Sequence, residues 1–335
     1  MNKKIRAIQF GCGAIGSAVA KLSSRRSNIE LVGAVDIDKN KVGRDLGEII
    51  GMDGKLSILI TDDVDKILAK TKVDIVFHQT SSSLKMAAPQ LIKLLGHGVN
   101  VVSTTEELAY PFPAQRELSA AIDKVAKANQ VTVLGTGVNP GFLMDSWPLF
   151  MTAVCQDVEK VRVIRVQDAR PRRLPFQKKI GAGCTPNEFQ KLVDTGTLRH
   201  VGLTESIAMI AGGLHWKLDN VTETIEPVIA KEKVQGSDIT VEPGQVAGVR
   251  QIGRGLRGNE EVITLEFVAF LGAPESYDSV YITGIPSVEV SIRGGIHGDI
   301  ATAAIVVNAA HRVVEAPPGL LTMKDLPMVV CTAKV

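Results

Sequence analysis

The sequence has few cysteines, few aromatic residues and no excess of either charge. Its 335 residues include four cysteines and 4% aromatic residues, and 38 basic residues nearly balance 36 acidic ones. The sequence has too few aromatic residues for a base-stacking platform, and it has no basic segment long enough to bind a nucleic acid or a membrane surface. No apolar run approaches the roughly 20 residues that span a bilayer. We expect a soluble, cytoplasmic protein with reduced thiols and with neither a nucleic-acid nor a membrane partner.

Histidine and cysteine, which often hold metal ions, are scattered along the chain. None of the six histidines lies in an H-E-x-x-H motif, and no two cysteines form a C-x-x-C pair. The sequence therefore predicts no metal site. Cys12 lies within a glycine-rich turn, where a disulfide would obstruct a ligand.

That glycine-rich turn is the most informative stretch of the sequence. The apolar run Ile5–Phe10 breaks into G-C-G-A-I-G, and a helical pattern follows, clear from Ala18 onward. In a G-x-G-x-x-G turn between a strand and a helix, Gly11 allows the tight turn, Gly13 admits a pyrophosphate and Gly16 permits close packing. The helix N-terminus then faces the phosphates. The predicted phosphate-binding residues are Gly11, Gly13, Ala14, Ile15 and Gly16.

A second apolar stretch, Ile29–Val35, ends in Asp36, and 36 − 16 places this acid 20 residues after Gly16. This is the spacing of an acid that accepts hydrogen bonds from a ribose diol. The same acid repels a 2′-phosphate, so the sequence favours NAD. Lys39 and Lys41 follow closely and could receive that phosphate, so NADP remains possible.

The order of the predicted elements indicates an α/β protein. Strand and helix patterns alternate over residues 1–137, which predicts a Rossmann-type doubly wound parallel sheet that binds a dinucleotide. Residues 138–299 read as an α+β domain with a largely antiparallel sheet, suited to substrate binding and dimerisation. Residues 300–335 form a C-terminal helix and tail that we expect to return to the first domain. An exposed sheet face favours a homodimer.

Several local predictions follow from turn and capping signals. We expect a strand at Leu56–Ile60, a helix over residues 84–96, and a basic loop at Asp168–Lys179. Asp299 is expected to cap the apolar helix Ile300–Val314.

In parallel sheets, ligands bind beyond the carboxyl ends of the strands. The small and polar residues predicted there suit the nicotinamide ribose, and they are Thr80, Ser81, Ser82, Ser103 and Thr104. The alternative interpretation is that Ser82 or Ser83 caps a helix.

Two adjacent acids, Glu106 and Glu107, also follow a predicted strand. A carboxylate beside a nicotinamide could act as a general base or hold ammonia and ammonium. The alternative is an acid solvated on the first turn of a helix. Periodicity does not decide which of the two points inward.

Candidate substrate contacts lie on three further segments. The loop at Asp168–Lys179 carries five basic residues, including Arg172, and arginine binds carboxylates with two hydrogen bonds. A solvated loop with ordinary salt bridges is the alternative. Asn139 lies on a glycine-flanked turn before Pro140 and could position an amino or carbonyl group, and Phe142 in the same stretch is a further candidate substrate contact. His297 lies between glycines where the sheet gives way to a helix, and is either a substrate contact or a loop residue without a role.

Longer motifs extend beyond the glycine turn. They are STTEELAYP at 103–111, GTGVNPGFLMD at 135–145, QKKIGAG at 177–183, GDIATAA at 298–304 and PPGLLTMKDLP at 317–327. Together they resemble the 2,4-diaminopentanoate dehydrogenase family, which contains the native amine dehydrogenases. The wider architecture is similar to dihydrodipicolinate reductase, but the stretch at 167–183 lacks the histidine pair of that family.

The resemblance implies an enzyme that interconverts an amine and NAD(P)+ with a ketone, ammonia and NAD(P)H. It assigns the key acid to the pair at 106–107, with Glu107 favoured over Glu106. Asn139 and Arg172 are polar where relatives that use alkyl ketones are expected to be apolar, which favours 2,4-diaminopentanoate as the substrate. The alternatives are an amine dehydrogenase for simple ketones and a dihydrodipicolinate reductase-like imine reductase. A nucleotide-sensing protein without turnover is a rival of another class.

Overall fold

The computed structural model of the protein describes residues 4–331, which fall into two compact units. The first contains the chain up to Phe142 together with the chain from His297 onward, and the second is Leu143–Ile296. The domain boundaries predicted from the sequence were 137/138 and 299/300.

Strands and helices alternate in the first part of the chain, whereas long strands dominate the second. The strands are β1 (Ile5–Phe10), β2 (Ile29–Val35), β3 (Ile60–Thr61), β4 (Ile75–His78), β5 (Asn100–Ser103), β6 (Thr132–Gly135), β7 (Asp157–Asp168), β8 (Asn220–Ile229), β9 (Val234–Gln235), β10 (Thr240–Val241), β11 (Val246–Arg257), β12 (Glu260–Phe270), β13 (Tyr277–Ile285), β14 (Val288–Arg293) and β15 (Gly319–Leu321). The helices are α1 (Ala14–Ser23), α2 (Leu46–Ile49), α3 (Val64–Leu68), α4 (Leu84–Gly96), α5 (Arg116–Ala128), α6 (Ser146–Met151), α7 (Leu174–Lys179), α8 (Pro186–Asp194), α9 (Leu203–Gly213) and α10 (Gly298–Glu315). Within residues 4–331, no helix has both the length and the apolar character needed to cross a membrane.

The first unit is built on a parallel sheet. In the described part of the chain, seven strands pair in the order β15-β6-β5-β4-β1-β2-β3, and every pair is parallel. From β3 to β6 this is the Rossmann order, with its topological switch point between β1 and β4. The predicted fold class is confirmed. Ligands in such sheets bind outside the carboxyl ends of the strands at this switch point.

Helices cover both faces of this sheet because neighbouring strand residues point to opposite sides. Ile8 packs into the core formed with α4 and α5, whereas Ala7 packs into the core formed with α1 and α10. Strands that are buried on both faces need apolar residues throughout, which explains their nearly continuous apolar sequences. Helix α10, from the C-terminal part of the chain, therefore completes the core of the first unit.

The second unit contains a mixed sheet that is largely antiparallel, as predicted. Among the described residues, six strands pair in the order β14-β13-β7-β12-β11-β8. The β7–β12 pair is parallel and its neighbours pair antiparallel. Helix α9 packs on this sheet, and an added Cβ at Gly253 would lie 2.9 Å from Ile207.

The structure corrects several local predictions. The strand predicted at Leu56–Ile60 is reduced to β3, because the Asp45 carboxylate accepts hydrogen bonds from the N–H groups of Leu56 and Ile58. The basic stretch is not all loop, since its second half forms α7. The first helix begins at Ala14 rather than Ala18. The helix 84–96 was predicted correctly.

Candidate active site

The glycine turn lies at the switch point of the parallel sheet, between β1 and α1. Gly11 has φ +88°, and an added Cβ would lie 2.1 Å from the carbonyl oxygen of Gln79. The first backbone hydrogen bond of α1 runs from Ser17 N–H to the Gly13 carbonyl at 2.8 Å. The N–H groups of the three preceding residues therefore lie at the positive end of the helix dipole. This end of the sheet is shaped to receive an anion such as a pyrophosphate.

Gly13 and Gly16 offer a matched pair for testing the turn. An added Cβ at Gly13 meets no atom within 4 Å, whereas one at Gly16 would lie 1.8 Å from the Gly11 carbonyl oxygen. We expect Gly13→Ala to keep its melting temperature and to bind the dinucleotide about tenfold more weakly, because the methyl group enters the phosphate space. Gly16→Ala is expected to lower the melting temperature instead. Calorimetric titration with NADH and thermal unfolding separate the two effects. Unchanged binding by Gly13→Ala would contradict the phosphate assignment.

Asp36 lies at the end of β2, beside the glycine turn. One carboxylate oxygen, Oδ2, accepts hydrogen bonds from Cys12 N–H at 2.8 Å and from Lys41 Nζ at 3.1 Å, and Oδ1 accepts one from Asp38 N–H at 2.9 Å. Burial alone would raise the pKa of Asp36, but these hydrogen bonds hold it below its usual value. The Asp36 carboxylate is therefore held in one orientation, and it forms an ion pair with Lys41.

The loop after β4 packs against the turn that carries the acid pair. Thr80 is exposed, and Ser81 Oγ accepts a hydrogen bond from Ser83 N–H at 3.1 Å. Ser83 occupies the N-cap position of α4 but makes no side-chain capping bond. The capping bond to Leu84 N–H comes from the carboxylate of Glu107, so the serine-cap alternative is wrong.

Glu106 and Glu107 lie on a 3-10 turn, Glu106–Leu108, which follows β5. The backbone N–H of Glu107 donates to the Ser82 carbonyl at 3.2 Å, and its Oε2 accepts from Leu84 N–H at 2.7 Å. Within residues 4–331, the other oxygen, Oε1, accepts no hydrogen bond. The turn is held close to the sheet, since an added Cβ at Gly135 would lie 2.5 Å from the Leu108 carbonyl. Glu107 is thus an oriented carboxylate beside the predicted ribose loop.

The remaining candidates in the first unit lie near these loops. Ser103 is fully buried, and Thr104 N–H donates to the His78 carbonyl at 3.0 Å. Asn139 is 8% exposed on the turn after β6, and Val138 N–H donates to Thr302 Oγ1 of α10 at 3.2 Å. Phe142, which ends the N-terminal segment of this unit, is half-buried.

His297 is the exposed N-cap residue of α10, which begins at Gly298. The prediction that Asp299 caps this helix is wrong, because the helix starts before it and Asp299 falls in the first turn. An acid in that turn still interacts favourably with the helix dipole.

In the second unit, the structure singles out Arg172 from the basic cluster. Arg172 is 5% exposed, whereas Arg170, Arg173, Lys178 and Lys179 are exposed. Its guanidinium lies 4.1 Å from the centre of the Phe176 ring, and Nη1 donates to Gln167 Oε1 at 3.1 Å. Arg170 instead pairs with Asp168. Arg172 is therefore a buried cation that is oriented by contacts with Phe176 and Gln167.

Two histidines, one half-buried and one buried, were not predicted as site residues. In the second unit, burial and the nearby cations, Lys179 foremost, lower the pKa of His200 to about 3, and its ring is tilted against that of Phe267, with 4.5 Å between the ring centres. In the first unit, His78 is fully buried at the end of β4. The sequence marks His78 by its place at a strand end, but offers no signal for His200. Residues 4–331 contain no group of three His, Cys, Asp or Glu side chains able to hold a metal ion.

The regions of similarity to known proteins extend over nearly the whole chain. Residues 142–334 match the family model for the C-terminal domain of 2,4-diaminopentanoate dehydrogenase, and residues 5–134 match the model for the N-terminus of dihydrodipicolinate reductase. The chain is 33% identical to 2,4-diaminopentanoate dehydrogenase of Acetoanaerobium sticklandii, over 97% of this chain and 94% of the relative. It is 22% identical to an amine dehydrogenase of Streptomyces virginiae, over 97% and 96%.

A solved structure extends the likeness to the fold. The amine dehydrogenase from Mycobacterium smegmatis superposes with a TM-score of 0.86 at 26% identity, covering 98% of both chains.

Proposed function

The chain belongs to the 2,4-diaminopentanoate dehydrogenase family, and on that premise we propose that it deaminates 2,4-diaminopentanoate oxidatively to 2-amino-4-oxopentanoate and ammonia, reversibly and with NAD(P). The observation that carries this proposal lies in the first unit. At one edge of the parallel sheet, the loop after β4 meets both a glycine turn suited to a dinucleotide and the oriented carboxylate of Glu107.

The proposed reaction is balanced by proton transfers that this chain can perform. The substrate CH–NH3+ group, NAD+ and water give a ketone, NH4+, NADH and a proton. When bound, the dinucleotide accepts the hydride. Glu107 takes a proton from the substrate ammonium, so that the nitrogen lone pair is free to form the C=N bond as the hydride leaves. That proton passes to solvent, and the restored carboxylate then takes a proton from the water that adds to the iminium carbon. Glu107 returns this proton to the nitrogen, the C–N bond breaks as the C=O bond forms, and ammonia leaves with the hydroxyl proton as NH4+.

The residues at 139 and 172 support an amino acid as the substrate. We propose Arg172 as a contact for the substrate carboxylate and Asn139 as a contact for a polar group of the substrate. The hydrogen bond from Leu84 N–H, at the start of α4, fixes the orientation of the Glu107 carboxylate. Phe142 and His297 complete the proposed set of substrate contacts.

The test is turnover measured in both directions. With 2,4-diaminopentanoate and NAD+, we expect NADH to appear and ammonia to be released in equal amounts. With 2-amino-4-oxopentanoate and NADH, consumption should require added ammonium. NADH binding without consumption would indicate a sensor, and consumption without ammonium would indicate an imine reductase. A higher kcat/KM for a simple alkyl amine would favour the alternative amine dehydrogenase.

We propose NAD as the preferred dinucleotide, with Asp36 as the residue that sets the preference. Asp36→Asn keeps an acceptor for Cys12 N–H, removes the charge that repels a 2′-phosphate and releases Lys41 from its ion pair. We expect the ratio of kcat/KM values to shift toward NADP+ by about 100-fold, because hydrogen bonds to charged groups contribute about 1.5–3 kcal/mol each.

Steady-state kinetics with both dinucleotides measure this shift. Adding Lys41→Ala to the Asp36→Asn variant should remove the gain, with Lys39→Ala as the matched control. If Lys39→Ala removes it instead, the phosphate is received by the other lysine. An unchanged ratio in Asp36→Asn would contradict the role of Asp36.

A further inference from the structure

His78 lies at the centre of a buried hydrogen-bond network at the carboxyl end of β4. Its Nδ1 is 2.9 Å from Ser103 Oγ, at the end of β5. Its Nε2 is 2.8 Å from Gln90 Oε1 on α4 and 3.1 Å from Thr80 Oγ1. The ring also packs against Phe10, with 5.3 Å between ring centres. One side chain therefore joins two adjacent strand ends and the helix that follows one of them.

The network continues from the ring into both candidate loops. On one side, Thr80 Oγ1 donates to Gln90 Oε1 at 2.9 Å, which fixes the exposed threonine of the predicted ribose loop. On the other side, Ser103 Oγ accepts a hydrogen bond from Thr105 N–H at 3.1 Å and lies 3.0 Å from Thr105 Oγ1. Thr105 is the residue before the turn that carries Glu106 and Glu107. The two loops are thus tied to one ring.

The ring is suited to this bridging because it remains neutral. Burial lowers the pKa of His78 to about 4, against a small opposing effect of the Gln90 hydrogen bond. Because Gln90 Oε1 only accepts, Nε2 carries the proton and donates, whereas Nδ1 accepts from the Ser103 hydroxyl. Such a ring can bind the Thr80 side and the Ser103 side together, and few other side chains of this size can do so.

We propose that His78 is a positioning residue, which holds the Thr80 loop through Nε2 and the acid-bearing turn through Nδ1. It does not contact the substrate. Through Thr80 it acts on dinucleotide binding, and through Ser103 and Thr105 it sets the orientation of Glu107. The second effect rests on the proposed function, whereas the first concerns the binding of the dinucleotide alone.

The two nitrogens can be tested separately with amide variants. Asparagine places its amide near the position of Nδ1, so His78→Asn keeps the Ser103 link and loses the Gln90 and Thr80 link. Glutamine reaches the position of Nε2, so His78→Gln does the opposite. We expect His78→Asn to raise the Kd for NADH about tenfold with kcat nearly unchanged, and His78→Gln to lower kcat about tenfold with Kd nearly unchanged.

A third variant tests the same link from the helix. Gln90→Leu should raise the Kd for NADH as His78→Asn does, and the double variant should show no further rise, because both changes remove one connection. Calorimetric titration gives Kd, steady-state kinetics gives kcat, and thermal unfolding reports stability for every variant.

The outcome distinguishes this proposal from the proposed function. If the unmodified protein does not oxidise 2,4-diaminopentanoate, the function fails, while the Kd contrast between the two His78 variants still decides the role of Nε2. Equal changes in Kd and kcat for both variants would overturn the positioning role. A lowered melting temperature with neither Kd nor kcat changed would overturn it as well, and would leave His78 a core residue.

Discussion

Glu107→Gln is expected to lower kcat for amine oxidation by about 10³-fold, because general acid–base catalysis by a positioned side chain contributes about 10²–10⁴-fold. The amide oxygen of glutamine can still accept the hydrogen bond from Leu84 N–H, so the start of α4 should remain intact. The Kd for NADH and the melting temperature should therefore change little. Stopped-flow measurement of NADH formation, with calorimetry for binding, separates chemistry from cofactor affinity.

Glu106→Gln is the matched control, since Glu106 lies on the same turn and carries the same charge. We expect its kcat to fall far less than that of Glu107→Gln. A reversed pattern would move the catalytic role to Glu106 and leave Glu107 as the cap of α4. A small effect of both changes would contradict the role of the acid pair altogether.

Arg172→Met is expected to lower kcat/KM for 2,4-diaminopentanoate by about 100-fold, because loss of one partner from a buried charge pair costs about 2–5 kcal/mol. Methionine keeps much of the side-chain volume over the Phe176 ring, which limits the structural damage. An amine without a carboxylate should react almost as well with the variant as with the unmodified protein. Kinetics with both substrates measure the discrimination.

Lys178→Met provides the control, because Lys178 is an exposed cation of the same basic stretch. It should leave both substrates unaffected. Arg172→Lys should recover part of the activity, since lysine restores the charge but not the planar pair of donors. If Arg172→Met slows both substrates equally, the arginine supports the fold of the second unit rather than the substrate carboxylate.

Some structural features could be predicted from the sequence because they depend on local chemistry. Gly11 has a positive φ, and the space in front of Gly13 is open, as the spacing of the glycines predicted. The parallel sheet followed from apolar runs that alternate with helical patterns. The strand predicted at Leu56–Ile60 failed for a tertiary reason. The Asp45 side chain takes the N–H groups that a neighbouring strand would otherwise bind.

Hydrogen bonds and contacts between side chains that are distant in the chain could not be predicted from the sequence. Nothing in the spacing of Ser83 and Glu107 shows that the acid, rather than the serine, caps α4. The basic stretch shows five similar cations, and burial alone singles out Arg172. The network joins His78 to Gln90 and Ser103, which lie 12 and 25 positions further along the chain, and the adjacency of β4 and β5 brings His78 and Ser103 together.

By itself, the sequence determined the parallel sheet, the glycine turn with its acid after β2, and the family to which the chain belongs. These features depend on residue types and short spacings, which can be read directly from the sequence. Only the tertiary structure decided which carboxylate is anchored at a helix start, which arginine is buried and which histidine links the strand ends. Those roles arise from the packing of elements that are distant in sequence, and no local preference specifies them.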